Sequence, residues 1–269
     1  MLLGLNCLQR FRALCPGGIY STNLDMETKL KHSTNCHSER FTPPGTKPVL
    51  PAAKRVLIAC EYSGIVRSAF SRLGWDAWSC DILPTEIPGN HFQCDALEVI
   101  NDGWDMLIAF PPCTYLTYAG MRNWYDEGRA MKRIKAAEFF MQMYDAPVQH
   151  VCVENPQGIM AKIFREPDMT IHPYYFGEQE MKRTCLWLKN LPKLEYRFAD
   201  DLFGNKTATD KPQPKRVELC KKTGRMKNRY FTDTIVNGKL KSGLEKSKSF
   251  QSIANAMAEQ WTEAIIGCR

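Results

Sequence analysis

From Arg55 onward the chain alternates short apolar runs with amphipathic stretches, and this rhythm constrains the fold more than any other feature. Val56–Cys60 is an apolar run ending at a Ser63-Gly64 turn, which predicts a buried strand. Ile65–Leu73 carries apolar residues at 65, 66, 69, 70 and 73, a helical stripe closed by Gly74. Asp76–Cys80 predicts a second strand ending at Asp81, and residues 105–109 (Asp-Met-Leu-Ile-Ala) predict another. Arg129–Tyr144 is a long helix with Ile134, Ala137, Phe140, Met141 and Tyr144 on one face. Val151–Val153 and Thr184–Leu188 add two more strands. Strands alternating with helices predict an α/β fold, a mostly parallel sheet with helices on both faces. Such sheets collect ligands at the carboxyl ends of their strands. The residues just after each strand are therefore the candidates for function.

Four strand ends stand out. Glu61-Tyr62-Ser63-Gly64 follows the first strand. Its glycine lets backbone approach a ligand beside a helix N-terminus, or simply makes a tight turn. A dinucleotide fingerprint is absent, because only one glycine is present. Asp81 lies 17 positions after Gly64, well placed for two ribose hydroxyls or, alternatively, as a solvated carboxylate or cap. Asp95 could accept a hydrogen bond from an exocyclic amine or cap the next helix. In Phe110-Pro111-Pro112-Cys113 the two prolines fix the backbone and hold the next side chain at a defined angle. A cysteine presented there can be an attacking thiolate, or an incidental residue. Enzymes that methylate amines have a similar loop, with an aromatic after the prolines and a small polar residue before them. Here Phe110 precedes and Cys113 follows, which points to covalent chemistry on carbon. Glu154-Asn155-Pro156 follows another strand. Burial there would raise the Glu154 pKa and let a protonated carboxyl donate to a ring nitrogen; otherwise it is a solvated acid.

Charge is concentrated. The whole chain of 269 residues nets +7, but the stretch from Gly204 to Lys248 holds 13 Lys/Arg against 4 Asp/Glu and nets +9. The remainder nets −2, so a polyanion-facing segment on a near-neutral body, or a solvated lysine-rich loop, is expected. The eleven cysteines are odd in number and include no C-x-x-C pair. Most sit in apolar runs, where cysteine behaves as a small hydrophobe, and a reducing compartment fits. No run of about 18 apolar residues exists, so no spanning helix is expected. Residues 1–53 carry no sustained period and several breakers, among them Pro16-Gly17-Gly18 and Thr42-Pro43-Pro44-Gly45, which predict a disordered leader. Cys7, Cys15, His32, Cys36 and His37 match no usual zinc-finger spacing, and no metal is expected.

Taken together, Tyr62-Ser63-Gly64, Pro111-Pro112-Cys113 and Glu154-Asn155 resemble the DNA cytosine-5 methyltransferase family, in its compact phage-type form. Residues 179–184 (Gln-Glu-Met-Lys-Arg-Thr), leading into Cys185-Leu186-Trp187-Leu188, look like its glutamine-and-arginine motif. Residues 249–257 look like its closing helix. The resemblance covers roughly Arg55 to Ile266 and implies a Rossmann-like methyltransferase sheet, S-adenosyl-L-methionine as methyl donor and a flipped-out cytosine of double-stranded DNA as acceptor. Position by position it implies Tyr62, Ser63, Gly64 and Pro111 at the cofactor, Asp81 at the ribose, Asp95 at the adenine amine and Asn255 near the same pocket. Cys113 would attack C6 and make C5 nucleophilic, Glu154 would hold the N3 edge, and Arg183, or its neighbour Lys182, would hold the base carbonyl and steady the thiolate adduct. Lys221, Lys222, Arg225, Lys227 and Arg229, beside Tyr230 and Phe231, are the phosphate-contact candidates. The chain departs from the family where Val66-Arg67 and Ala254 replace glycines, and its recognition region is short.

The implied organisation is a catalytic domain of residues 54–190 and 248–269, interrupted by a small basic target-recognition region at 191–247. A monomeric, cytoplasmic enzyme in a bacterial or phage-infected cell is expected, with a role in restriction and modification. The competing readings are a catalytically inactive DNA-binding relative and a methyltransferase of RNA or free nucleotides.

Overall fold

The computed structural model describes residues 53–118, 125–178, 180–199, 206–208, 217–219, 223–224, 226–228, 235–236, 239–240 and 243–267. Seven strands form one sheet: β1 (Arg55–Ala59), β2 (Asp76–Cys80), β3 (His91–Phe92), β4 (Met106–Ala109), β5 (His150–Asn155), β6 (Met169–Ile171) and β7 (Thr184–Lys189). Their order is β3-β2-β1-β4-β5-β7-β6. β1 to β5 run parallel, and β7 lies antiparallel between β5 and β6. The sheet is thus mostly parallel, as the alternating rhythm predicts. The helices are α1 (Ile65–Arg72), α2 (Ala96–Val99), α3 (Arg129–Tyr144), α4 (Met160–Ile163), α5 (Gly243–Ser247) and α6 (Gln251–Ile266).

Both faces of the sheet are covered. Side chains alternate along a strand, so Leu57, Ala59, Leu107, Ala109, Val151 and Val153 meet Ala137, Phe140 and Met143 of α3 on one side. Val56, Ile58, Met106, Ile108 and Cys152 meet Val66, Ala69 and Phe70 of α1 and Ile253, Met257 and Trp261 of α6 on the other. Burial on both faces explains why these strands read as continuous apolar runs.

Two details differ from the sequence expectation. β5 runs through Asn155, so Glu154 and Asn155 lie within a strand and not after one. Pairing with β7 causes this extension, with Glu154 opposite Leu186 and Asn155 opposite Cys185. Cys60, expected as the last residue of the first strand, instead has φ 58°. This left-handed kink ends β1 at Ala59 and swings Glu61 beneath α1. The small antiparallel pairs β8 (Arg197–Ala199) with β9 (Lys206–Ala208), β10 (Val217–Leu219) with β11 (Met226–Asn228), and β12 (Ile235–Val236) with β13 (Lys239–Leu240) follow β7, and all but β8 fall in the basic window. The expected leader at 1–53 lies outside the described residues but for Ala53.

Candidate active site

The carboxyl ends of β1, β2, β4 and β5 open into one cavity of about 730 Å³. The loop after β1 contributes Tyr62 and Ser63, the loop after β2 contributes Asp81 and Leu83, and the loop after β4 contributes Phe110 to Thr114. Glu154 enters from β5, Met181, Lys182 and Arg183 from the approach to β7, and residues 246–249 close the rim. Of the residues singled out from sequence, Tyr62, Ser63, Asp81, Pro111, Cys113, Glu154 and Arg183 therefore share one space.

At the end of β1 the Glu61 carboxylate turns under α1. It accepts from the backbone N–H groups of Val66 (2.7 Å) and Arg67 (3.2 Å) and from the Ser63 hydroxyl (3.1 Å). The N-terminal amides of α1 are thus occupied by the chain's own acid. Gly64 caps that helix with φ 73°, a conformation glycine adopts without strain. Gly64 does not line the cavity; its flank is taken by Arg67 and Ile87. The Arg67 guanidinium, buried here, donates to the Ser79 and Thr85 hydroxyls and to the carbonyls of Ile87 and Asn90. It ties the loop after β2 to α1. Asp81 accepts from the Leu83 N–H at 2.9 Å and faces the cavity.

Cys113 is held by backbone contacts. Phe110 N–H donates to the Ala59 carbonyl, and Asn155 Nδ2 donates to the Pro111 carbonyl at 2.9 Å. The Cys113 carbonyl accepts from Leu116 and Thr117, and the Leu116 carbonyl accepts from Ile159. Gly158 lies against this loop so closely that a Cβ there would meet the Leu116 oxygen at 2.0 Å. Burial pushes the Cys113 thiol above its ordinary value, Glu154 adds to that, and Lys182 opposes it. Burial likewise raises the Glu154 carboxyl, again opposed by Lys182. Glu154 is therefore biased towards its neutral, hydrogen-bond-donating form.

Four residues are placed otherwise than the resemblance implies, Gly64 outside the cavity being the first. Asp95 is exposed and caps α2, accepting from Leu97 N–H at 3.0 Å in a capping box with Glu98. The alternative reading of Asp95 as a cap describes this geometry. Asn255 lies on α6 with its Oδ1 accepting from Arg72 (2.8 Å) and Gln251 (2.8 Å), outside the cavity. Arg183 lines the cavity but is exposed and donates to Gln157 at 2.6 Å. The cation acting on both Cys113 and Glu154 is Lys182.

Sequence reasoning missed Glu61 and Arg67 as builders of the site. An acid four positions before a helix start was the available signal for Glu61. Only the glycine-replacing position marked Arg67. It also missed the rim: Lys248 pairs with Glu86 at 2.7 Å, above the Tyr62 ring. Lys221, Lys222, Arg225 and Arg229, with Tyr230, Phe231 and Gln179, lie outside the described residues. Lys227 falls in β11, where only the backbone is described. Among the described residues no helix is long and apolar enough to cross a membrane.

No protein-family model and no curated protein matches the sequence. Solved structures do. One, described as a DNA modification methyltransferase encoded within an E. coli prophage, is similar at 16% identity with a TM-score of 0.35, over 51% of this chain and 46% of that one. Another, Entamoeba histolytica methyltransferase EhMeth, is similar at 14% identity with a TM-score of 0.36, over 53% of this chain and 54% of that one. The chain spans about half the length of each.

Proposed function

We propose that the chain is an S-adenosyl-L-methionine-dependent DNA (cytosine-5)-methyltransferase acting through a covalent Cys113 adduct. The observation that carries this reading is the convergence of Cys113 and Glu154 on one cavity that continues to the ends of β1 and β2.

The residues present fit that methyl donor better than a nucleoside diphosphate. A phosphate needs unclaimed N–H groups at a helix N-terminus, and those of α1 are taken by Glu61. S-adenosyl-L-methionine carries no phosphate. Asp81 would hold the ribose, while Tyr62, Leu83 and Phe110 would wall the adenosine. When bound, the cofactor supplies an electrophilic methyl group.

The chain's own groups do the rest. Cytosine C5 is a poor nucleophile until something adds at C6. The Cys113 thiolate forms a bond to C6, and the electron pair displaced from the ring moves towards N3. Protonated Glu154 donates to N3 and holds that charge. C5 then carries the electron density that accepts the methyl group. Loss of the C5 proton to a base, with departure of the Cys113 thiolate, restores the ring. The base must leave the duplex stack to reach this cavity, so the +9 window is assigned to the phosphate backbone.

The test is incubation with labelled S-adenosyl-L-methionine and several DNAs, followed by bisulfite sequencing. C5 label in DNA is expected, as is a trapped adduct with a 5-fluorocytosine oligonucleotide. Label on N4 or N6 overturns the chemistry. DNA binding without label favours the inactive relative, and label in RNA or nucleotides alone changes the substrate class.

A further inference from the structure

Cys80 is the last residue of β2 and Cys94 comes two residues after β3, so both stand at one corner of the sheet. β3 is an edge strand of two residues, paired to β2 through Ser79 opposite His91 and Cys80 opposite Phe92. Cys80, Phe92 and Cys94 pack on the same core cluster. The chain bends at Cys94. That bend sets its sulfur 3.8 Å from the Cys80 sulfur, with the Cys94 carbonyl accepting from Cys80 Sγ at 3.4 Å. Two more bonds tie the same stretches together. The Asp81 N–H donates to the Phe92 carbonyl at 3.1 Å, and Gln93 Nε2 donates to the Ile82 carbonyl at 3.3 Å.

We propose that Cys80 and Cys94 form a site of oxidative modification: a dithiol that a hydroperoxide converts reversibly to a disulfide, stapling the edge strand to the strand end that carries Asp81.

The backbone of both segments is already held, so only the sulfurs must move to reach the bonding distance of about 2.05 Å. Exposure orders the steps. Cys94 is partly exposed and Cys80 is fully buried, so the peroxide meets Cys94 first. The Cys94 sulfur attacks the O–O bond, which breaks to leave a sulfenic acid and one water or alcohol. The Cys80 sulfur then attacks the sulfenic sulfur. The S–S bond forms, the S–O bond breaks, and hydroxide leaves with the Cys80 proton as water. The two thiols lose two electrons and two protons together, and the peroxide is the oxidant reduced. Cys60 stands near by but does not compete: burial, then the charges of Asp81, Cys80 and Asp95, keep its thiol protonated and so unreactive. In a reducing compartment the pair rests as two thiols filling the core, and the bond records exposure to oxidant. Asp81 follows Cys80 directly and lines the cavity, so the staple braces the cavity wall. None of this depends on the role of Cys113 or on the substrate.

The experiment exposes the native full-length protein to hydrogen peroxide, blocks the remaining thiols with N-ethylmaleimide, and reads an unreduced digest by mass spectrometry. A linked Cys80–Cys94 peptide is expected, and dithiothreitol should abolish it. In C80S the Cys94 sulfenic acid lacks its resolving partner and should be captured by dimedone. In C94S the buried Cys80 should stay reduced, and C60S should leave the link intact. The linked wild type should melt about 3–10 °C above the reduced protein, because the bond joins residues 14 positions apart and restricts the unfolded chain. C94S given the same peroxide should show no such rise, which separates the staple from oxidation elsewhere. A link from Cys60 to either partner overturns the pairing, as does Cys94 passing to sulfinic acid while Cys80 stays reduced. A linked protein that melts no higher than the reduced one overturns the staple. If C80S does not fold, the wild type and C94S still decide both points.

Discussion

Glu154 shows how one buried carboxyl ties chemistry to stability. Burial lifts it above its ordinary 4.5, so the folded state binds its proton more tightly than the unfolded chain does. Its contribution to stability is fully present below pH 4.5 and is lost progressively as pH rises from there through the folded-state value. Glu154→Gln removes that loss. Relative to the wild type, its urea midpoint should therefore improve from pH 4.5 to pH 8, even as methyl transfer falls. Glu61 shifts the same way in both proteins and cancels from the comparison. A constant gap between the two proteins across that range would mean that Glu154 titrates normally. Cys113→Ser should remove methyl transfer and the 5-fluorocytosine adduct while leaving binding of S-adenosylhomocysteine, measured by calorimetry, within about twofold. Unchanged turnover would remove Cys113 from its role.

The loop after β4 and the N-terminal turn of α1 are each held by close contacts. Gly158 packs its Cα against the Leu116 carbonyl, and Gly158→Ala would drive a methyl to 2.0 Å from that oxygen. Either the loop moves or the protein unfolds, so a stability loss of about 3 kcal/mol or more is expected. Cys113 should also become more accessible to a thiol reagent. On the other side of the sheet, Arg67 satisfies two carbonyls and two hydroxyls with one buried guanidinium. Arg67→Leu would take a charged donor from each of them, although Ser79 keeps His91, Ile87 keeps the Thr85 hydroxyl and Asn90 keeps the Ser79 N–H, so a cost of about 1–3 kcal/mol by chemical denaturation is expected. It should also free the loop after β2, seen as faster amide exchange at Ile87 to Asn90. Stability within about 0.5 kcal/mol of wild type would show that water replaces the guanidinium at no cost.

For the whole molecule the distinguishing feature is charge distribution. A net +9 between Gly204 and Lys248 on a body of net −2 predicts salt-sensitive binding to duplex DNA. Replacing both Lys221 and Lys222 by alanine should reduce the slope of log affinity against log salt by about 2 and weaken all sequences alike. A loss confined to one DNA sequence would mean that these lysines read bases. An unchanged slope would place the phosphate contacts elsewhere on the molecule.

Apolar runs and helical stripes by themselves determined the α/β class, most strand positions and the full extent of α3, because burial on both sheet faces forces a local pattern. They also marked Cys113 and Glu154, since strand ends carry chemistry in such folds. Tertiary structure decided what no local pattern encodes. Pairing with β7 drew Glu154 into a strand, and a capping box claimed Asp95. The α1–α6 packing took Asn255 to Arg72, and the approach to β7 set Lys182 rather than Arg183 to act on Cys113 and Glu154. Each of these depends on which distant segment lies alongside. Lys182 and Lys246 are 64 positions apart, as their hydrogen bond records, and sequence spacing carries no information about which way two adjacent cations will turn.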